Sequence, residues 1–240
     1  IGKKIDVEFN GTLRDEQSLA LENLLHHDNG ILSGTTAFGK TIVAIKLIAE
    51  KKINTLILVD KISLLSQWKE KLSEFLIINE KLPEELITKE KKRGRKKKRS
   101  VIGQLGGGKN TLSGIVDIAV MQSISRKGEV KECVNNYGML IADECHHASA
   151  FTYEQILKTA HAKYIYGLPA TPTRKDGHHP ILFMHCGPIR YRDDPKKQTE
   201  NRPFDHYIVP RFTSLRVPLD SDENDVSIQK LYADIADNDF

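Results

Sequence analysis

The segment Gly34-Thr35-Thr36-Ala37-Phe38-Gly39-Lys40-Thr41 decides the fold of this chain. It matches the pattern GxxxxGK[ST] and lies between an apolar strand-like segment, residues 30–33, and an apolar helical segment, residues 41–49. In this setting glycines let backbone N–H groups turn towards phosphate oxygens, and the start of the following helix adds partial positive charge. We therefore predict a phosphate-binding loop, in which Lys40 reaches the β- and γ-phosphates and Thr41 offers its hydroxyl to Mg²⁺.

Two adjacent carboxylates, Asp143 and Glu144, follow the apolar segment 139–142. A strand that ends in two acids supplies the second half of a Mg·ATP site, because Asp143 can hold Mg²⁺ while Glu144 orients and deprotonates the attacking water. Without the glycine loop, the pair would indicate only a strand end on a polar surface. Together the two patterns predict Lys40, Asp143 and Glu144 as catalytic residues, with Thr41 and Asp143 on the metal.

Strand and helix signals alternate around these motifs. The predicted helices lie at 13–27, 41–49 and 62–76, and the predicted strands at 30–33, 55–59, 115–121, 139–142 and 164–168. Residues 78–114 interrupt the alternation with a basic run and three consecutive glycines. Continuous apolar strands separated by helices are typical of a parallel sheet covered on both faces. We therefore predict an α/β fold with a mostly parallel sheet and with ligands at the carboxyl ends of its strands.

The composition supports one folded core, since 39% of the 240 residues are hydrophobic. No stretch approaches the roughly 18 consecutive apolar residues of a membrane span. The N-terminal residues Ile1-Gly2-Lys3-Lys4 contain neither an initiator Met nor a signal-peptide core, so we expect a soluble piece of a longer protein. The three cysteines show no CxxC spacing, which favours reduced thiols in a cytosolic or nuclear compartment.

The net charge of +4 is concentrated in one segment. Residues 89–99, KEKKRGRKKKR, hold nine of the 36 basic residues and one acid, which leaves 27 basic against 31 acidic residues elsewhere. Such a run is a solvated loop, a nuclear-import signal or an arm that binds a polyanion. For the last interpretation, the candidate phosphate-binding residues are Arg93, Arg95, Lys96, Lys97, Lys98 and Arg99.

With Asp143-Glu144-Cys145-His146 in view, the chain resembles the superfamily 2 helicases and translocases, whose first RecA-like domain carries a DExH box of this form. The resemblance covers nearly the whole chain and implies a RecA-like P-loop NTPase fold. It also implies that Arg14 and Gln17 form an RxxQ element that reads adenine. A Gln amide has the right shape for the N6 and N7 edge of that base.

Further segments are similar to other motifs of this family. Residues 58–68 are similar to motif Ia, residues 104–107 and 117–124 resemble motifs Ib and Ic, and residues 167–172 look like motif III. The resemblance therefore implies nucleic-acid contacts at Lys61, Gly106, Gly107, Gln122 and Ser123. It implies coupling of the ATP site to the track by His146, Pro169, Ala170 and Thr171. For Trp68, the only tryptophan, core packing is favoured over base stacking.

Within the superfamily, LLSQW at residues 64–68 and GPIRY at residues 187–191 resemble the branch that includes the xeroderma pigmentosum group B repair helicase and the motor subunits of type I and type III restriction enzymes. That branch implies duplex DNA, rather than RNA, as the track. Two positions depart from the family pattern. Pro169 replaces the Ser or Thr that usually begins motif III, so one hydroxyl bond towards the DExH box is missing, and motif Ic has Ser123 in place of its usual Thr.

The resemblance also predicts the domain organisation, with a RecA-like ATP-binding domain at residues 1–205 and a linker to a second RecA-like domain at residues 206–240. ATP and Mg²⁺ are the expected cofactors. Duplex DNA, the second domain and a nuclease or modification subunit elsewhere are the expected partners. Family members hydrolyse ATP between two such domains, so weak turnover is expected of this one alone.

Two alternatives to a helicase or translocase motor were considered. A P-loop kinase or GTPase would need a lid with an acceptor pocket, or an NKxD guanine reader, and none of these is evident in the sequence. A nucleotide-gated DNA-binding switch in a restriction or mobile-element defence complex is compatible with Pro169 in motif III. We expect a cytoplasmic, nucleoid-associated location in a prokaryote and a nuclear one in a eukaryote.

Overall fold

The computed structural model describes residues 2–83, 100–126, 128–144, 150–170 and 179–193, together with Tyr207 and Val209. The chain divides into a first compact unit, Ile1–Gln198, and a second unit, Thr199–Phe240, of which only Tyr207 and Val209 are described. The boundary between residues 205 and 206 stays a prediction.

The described residues form strands and helices whose bounds are as follows. The strands are β1 Val7–Phe9, β2 Asn29–Ser33, β3 Thr55–Val59, β4 Leu76–Ile78, β5 Ile102–Gly106, β6 Lys109–Asn110, β7 Val116–Val120, β8 Ser125–Arg126, β9 Glu129–Val130, β10 Met139–Asp143, β11 Tyr164–Leu168 and β12 Ile189–Arg192. The helices are α1 Asp15–Leu25, α2 Lys40–Lys51, α3 Ile62–Phe75, α4 Met121–Ile124, α5 Ala150–Thr159 and α6 His179–Cys186. Within these segments, no helix combines the length and apolar character that a membrane crossing requires.

Eight strands form the central sheet, in the order β12-β2-β11-β10-β3-β7-β5-β6. Every neighbouring pair is parallel except β5 and β6, which form an antiparallel hairpin at one edge. The mostly parallel sheet predicted from the continuous apolar strands is therefore confirmed.

The inner strands of the sheet bury both of their faces, because alternate side chains enter two separate apolar cores. Ile57 and Ile141 pack in a core that also contains side chains of α1, α2 and α3, whereas Leu56 and Leu140 pack in a core with side chains of α4, α5 and α6. Helices therefore cover both faces, as predicted. Trp68 of α3 is 1% exposed within the first core, which confirms core packing.

One expectation about the sheet was wrong. Residues 102–106, within a stretch expected to interrupt the alternation, form β5 and pair with β7. Two glycines hide the apolar pattern of this strand. Gly103 is required by close packing, because a Cβ there would lie 2.0 Å from Oδ1 of Asp117.

The parallel strands end nearly level with one another. Asp143 of β10 pairs with Leu168 of β11, and Val59 of β3 pairs with Val120 of β7. The segments that follow these strands and β2 therefore open at the same edge of the sheet, which we call the carboxyl edge. Ligands of open α/β sheets bind at this edge.

Candidate active site

The glycine loop connects β2 to α2 at the carboxyl edge. Thr36–Phe38 form a short 3₁₀ turn, and Gly39 then takes a φ of 83°, in the left-handed region that glycine adopts without strain. The backbone N–H of Gly34 donates to the carbonyl oxygen of Pro169 at 3.4 Å. The loop is therefore joined to the segment after β11, and the predicted coupling residues Pro169 and Ala170 follow that strand directly.

Lys40, the first residue of α2, is 5% exposed. Its Nζ donates to the carbonyl oxygen of Gly34 at 2.7 Å and to that of Thr35 at 3.4 Å. The ammonium group thus lies inside the loop, and its contact with the β- and γ-phosphates stays a prediction. Thr41 follows in the first turn of α2 and is half-buried.

Arg14 and Gln17 contact the loop from the start of α1. Nη2 of Arg14 donates to the carbonyl oxygens of Phe38 and, at 3.4 Å, of Ala37. Nε2 of Gln17 donates to the same oxygen of Phe38 at 2.8 Å, while its Oε1 accepts the backbone N–H of Arg14 at 3.0 Å. The structure therefore brings both residues to the loop, and adenine reading stays a prediction.

Asp143 and Glu144 lie at the end of β10. Asp143 is the last residue of the strand and is 6% exposed, so the strand is one residue longer than predicted. Its Oδ1 accepts the backbone N–H of Glu144 at 3.0 Å. Glu144 itself takes a φ of 46°, a left-handed conformation that is rare for a residue with a Cβ and that is concentrated at functional sites.

Burial raises the pKa of the Asp143 carboxyl to about 6, and the negative charge of Glu144 acts in the same direction. A hydrogen bond from the indole of Trp68 and the positive charge of Lys40 act the other way and lower this pKa. The positive charge of Lys40 in the loop therefore interacts electrostatically with the Asp143 carboxyl at the end of β10. The hydroxyl oxygen of Thr41 and the carboxylate of Asp143 fit Mg²⁺, which prefers oxygen ligands and is held by few protein groups together with substrate phosphates.

Sequence reasoning missed a further carboxylate beside the loop. β12 lies next to β2, and Asp193, directly after β12, is 7% exposed. Its backbone N–H donates to the carbonyl oxygen of Ser33 at 2.9 Å, and its Oδ2 accepts the hydroxyl of Thr35 at 3.4 Å. Thr35 and Asp193 are 158 residues apart in sequence, and no motif marked Asp193.

The predicted nucleic-acid residues occupy the neighbouring part of the carboxyl edge. Lys61 follows β3, Gln122 and Ser123 follow β7, Gly106 is the last residue of β5, and Gly107 comes directly after it. These three strands are adjacent, in the order β3-β7-β5. Lys61, Gln122 and Gly107 are exposed, Ser123 is half-buried and Gly106 is buried. The structure thus places the five residues at the ends of three adjacent strands, and we call the exposed part of this region the track surface.

A cavity of 460 Å³ lies between α3 and the β5–β6 hairpin, beside the track surface. The residues that line it include two lysines and one glutamate: Ile62, Leu65, Ser66, Lys69, Glu70, Ser73, Gln104, Gly107 and Lys109. Through Gly107 the cavity is continuous with the track surface.

Several predicted residues lie outside the described residues. They are the coupling residues His146 and Thr171 and the basic residues Arg93, Arg95, Lys96, Lys97, Lys98 and Arg99. Their roles stay predictions.

Residues 10–174 match the family model "Type III restriction enzyme, res subunit". The chain is 33% identical over 180 residues to the "DNA 3'-5' translocase XPB2" of Sulfurisphaera tokodaii, a match that covers 75% of this chain and 35% of the relative. It is 29% identical over 194 residues to the "DNA 3'-5' helicase XPB" of Mycobacterium tuberculosis, covering 78% of this chain and 31% of the relative. The chain therefore spans about a third of the length of these two relatives.

Among solved structures, the UvsW helicase of bacteriophage T4 superposes with a TM-score of 0.55 at 18% identity, over 80% of this chain and 64% of that one. At that identity the likeness concerns the fold alone. It agrees with the RecA-like domain implied by the sequence motifs.

Proposed function

We propose that this chain, which belongs to the family of type III restriction enzyme res subunits, is the ATP-dependent motor domain of a DNA helicase or translocase. It is the first RecA-like domain of a superfamily 2 protein. It would bind Mg·ATP and contact duplex DNA within a longer protein. The names of the relatives, a DNA translocase and a DNA helicase, support DNA as the track.

The observation that carries the proposal is the division of the carboxyl edge into two adjoining halves. The glycine loop, the segment after β11 and the two carboxylates lie at the ends of β2, β11 and β10, three adjacent strands. The track surface follows β3, β7 and β5, the next three strands in the same sheet. Because β10 and β3 are hydrogen-bonded neighbours, a nucleotide site and a nucleic-acid surface would share one rigid support.

The residues of the first half have complementary roles in phosphoryl transfer. Lys40, already inside the loop, would exchange its bonds to loop carbonyls for β- and γ-phosphate oxygens. Thr41 and Asp143 would hold Mg²⁺, which neutralises the charge that develops on these oxygens. Glu144 would accept a proton from the water that attacks the γ-phosphorus, so that the products are ADP and phosphate.

The glycine loop contacts motif III directly, so the coupling that a motor requires has a structural basis despite Pro169. Pro169 lacks the usual hydroxyl, but its carbonyl oxygen accepts the N–H of Gly34 at 3.4 Å. A backbone bond therefore links the nucleotide loop to the segment assigned to coupling. The second RecA-like domain is expected to supply arginine fingers, and loss of such a group costs roughly 10³- to 10⁵-fold in rate.

The test is ATP hydrolysis by the full-length protein, with and without duplex or single-stranded DNA. We expect duplex DNA to stimulate turnover, Lys40→Ala to abolish nucleotide binding, and Glu144→Gln to keep binding but lose hydrolysis. Lys46→Ala is the matched control, since Lys46 lies on the same helix and pairs with Glu50 at the surface. Equal nucleotide affinity of wild type and Lys40→Ala, measured by calorimetry, would refute the site.

DNA-independent turnover would reject the motor assignment while leaving the nucleotide site intact. Stimulation by single-stranded DNA alone would reject the duplex track. Hydrolysis that survived Glu144→Gln would assign the general base to another residue.

A further inference from the structure

Trp68 donates a hydrogen bond from its indole Nε1 to Oδ2 of Asp143, at a distance of 2.6 Å. The two residues are 75 positions apart in sequence, and they are 1% and 6% exposed. Trp68 lies on α3, whereas Asp143 ends β10. The only tryptophan of the chain therefore contacts the carboxylate assigned to Mg²⁺.

Among the residues that the structure describes, each oxygen of the Asp143 carboxylate accepts one hydrogen bond. Oδ2 accepts the indole N–H of Trp68, and Oδ1 accepts the backbone N–H of Glu144 at 3.0 Å. Two donors from different elements fix the rotation of the carboxylate about its Cβ–Cγ bond. Each oxygen also keeps acceptor capacity, since a carboxylate oxygen has two lone-pair sites.

The acceptor of the Trp68 indole N–H is a carboxylate rather than a carbonyl oxygen, and this difference indicates what the bond does. A buried indole N–H needs a partner, but any carbonyl oxygen would satisfy it. A buried carboxylate, in contrast, loses its hydration and is stabilised in its charged form only by donors or opposite charges. The bond therefore matters more to Asp143 than to the packing of Trp68.

Helix α3 gives this contact a direct connection to the track surface. The helix begins at Ile62, immediately after Lys61, and Trp68 lies about two turns further along the same rigid element. The nucleic-acid half of the carboxyl edge and the metal carboxylate are thus joined by one helix and one hydrogen bond.

Resting on the proposed function, we propose that Trp68 is a positioning residue of the nucleotide site: its indole N–H sets the orientation in which Asp143 presents oxygen to Mg²⁺. Trp68 does not contact the reacting atoms. It acts through Asp143, in the way that groups hydrogen-bonded to a metal ligand orient that ligand.

The test is Trp68→Phe in the full-length protein, with Mg²⁺ titrated at fixed ADP and binding followed by calorimetry. Phe keeps an aromatic side chain and removes the N–H donor. We expect the Mg²⁺ concentration for half-maximal tight binding to rise roughly 10- to 100-fold, as for other groups that support a metal ligand. Binding of ADP in EDTA should be unchanged, because no metal is then held.

Leu72→Ala is the matched control. Leu72 is fully buried on the same helix, and its side chain offers no donor to Asp143, so its truncation loosens the packing of α3 and leaves the indole bond in place. We expect Leu72→Ala to keep the wild-type Mg²⁺ requirement. An unchanged requirement in Trp68→Phe, or an equal rise in both variants, would overturn the proposal.

A spectroscopic measurement covers the case in which Trp68→Phe does not fold. In a background where tryptophans outside residues 1–240 are replaced by phenylalanine, Mg²⁺ added with ADP should change the emission of Trp68. The same addition to Asp143→Asn should leave the emission constant. A constant emission in the wild type would also overturn the proposal.

The two proposals fail in distinguishable ways. If wild type and Lys40→Ala bind ADP equally, the nucleotide site itself is wrong. If the wild type binds ADP in a Mg²⁺-dependent manner that Lys40→Ala lacks, and Trp68→Phe behaves as wild type, only the role of Trp68 is rejected.

Discussion

The side-chain amide of Gln17 ties helix α1 to the phosphate-binding loop, because its Nε2 donates to the carbonyl oxygen of Phe38 at 2.8 Å. Gln17 is 5% exposed, and Gly39 packs so closely that a Cβ there would lie 2.6 Å from the same Nε2. The residue that the motif assigns to adenine therefore also supports the loop that we propose binds phosphate.

A first prediction separates these two roles. Gln17→Ala should weaken binding of inorganic tripolyphosphate, which has no base, by about tenfold, since a hydrogen bond that supports the loop is removed. Calorimetry with tripolyphosphate, ATP and GTP measures the effect. Asn23→Ala, half-buried on the same helix and bonded only to the carbonyl oxygen of Leu19 among the described residues, is the control. Weaker binding of ATP with unchanged binding of tripolyphosphate would limit Gln17 to adenine reading.

The second prediction concerns the left-handed conformation of Glu144, with a φ of 46°. Glu144→Gly and Glu144→Ala both remove the carboxylate, but only the glycine adopts this φ freely. We expect the measured free energy of unfolding of Glu144→Gly to exceed that of Glu144→Ala by about 1 kcal/mol. This net difference is the strain that alanine has at a left-handed φ, less the cost of ordering the more flexible glycine on folding. Urea denaturation measures the difference.

The control for this comparison is the same pair of substitutions at Lys46, in the middle of α2. In a helix interior glycine is about 1 kcal/mol less stable than alanine, so the sign should reverse. The same sign at both positions would contradict the conformational explanation.

The third prediction follows from the pKa of Asp143, which burial raises to about 6 in the folded state from its ordinary value of 3.8. Between these values the folded state keeps a proton that the unfolded state has lost. The stability that this proton contributes is fully present below pH 3.8 and is lost as the pH rises through about 6. In Asp143→Asn the side chain at this position does not titrate, so the variant does not lose this stability as the pH rises.

We therefore expect the free energy of unfolding of Asp143→Asn, relative to wild type, to rise by about 2 kcal/mol between pH 4 and pH 7.5. Urea denaturation in EDTA, without nucleotide, measures it at both pH values. A difference that stayed constant with pH would show that Asp143 titrates alike in both states.

The fourth prediction concerns the basic run at residues 89–99, which follows the helix of motif Ia and precedes the strand of motif Ib in sequence. Replacement by a Gly/Ser linker should reduce the slope of log K against log[salt] for duplex DNA by about 0.9 for each phosphate that is no longer neutralised. If about half of the cations bind phosphates, the slope falls by several units. The affinity loss should be equal across DNA sequences, because binding to phosphates carries no sequence information.

Fluorescence anisotropy at several salt concentrations measures this slope. Lys61→Ala, which removes one cation of the track surface, gives the effect of a single charge for comparison. An unchanged slope after the loop replacement would make the run a solvated loop or an import signal.

The sequence by itself determined the elements whose signals are local. Strands β3 and β11 begin and end where the apolar runs predict, at residues 55–59 and 164–168. The glycine loop and Lys40 were identified from eight consecutive residues, because the loop geometry depends mainly on glycines at fixed offsets and on the helix that follows. Family motifs added Arg14 and Gln17 and the residues of the track surface.

Only the tertiary structure decided which distant residues meet. Residues 102–106 became a strand because they pair with β7, and Gly103 is required by its close approach to Asp117. Asp193 reaches Thr35 only because β12 lies beside β2, and Trp68 reaches Asp143 only because α3 packs against the sheet. The periodicity of apolar residues indicates which face of a helix or strand is buried. The partner of a buried hydrogen-bond donor or carboxylate depends instead on strand order and helix packing, which local sequence does not encode.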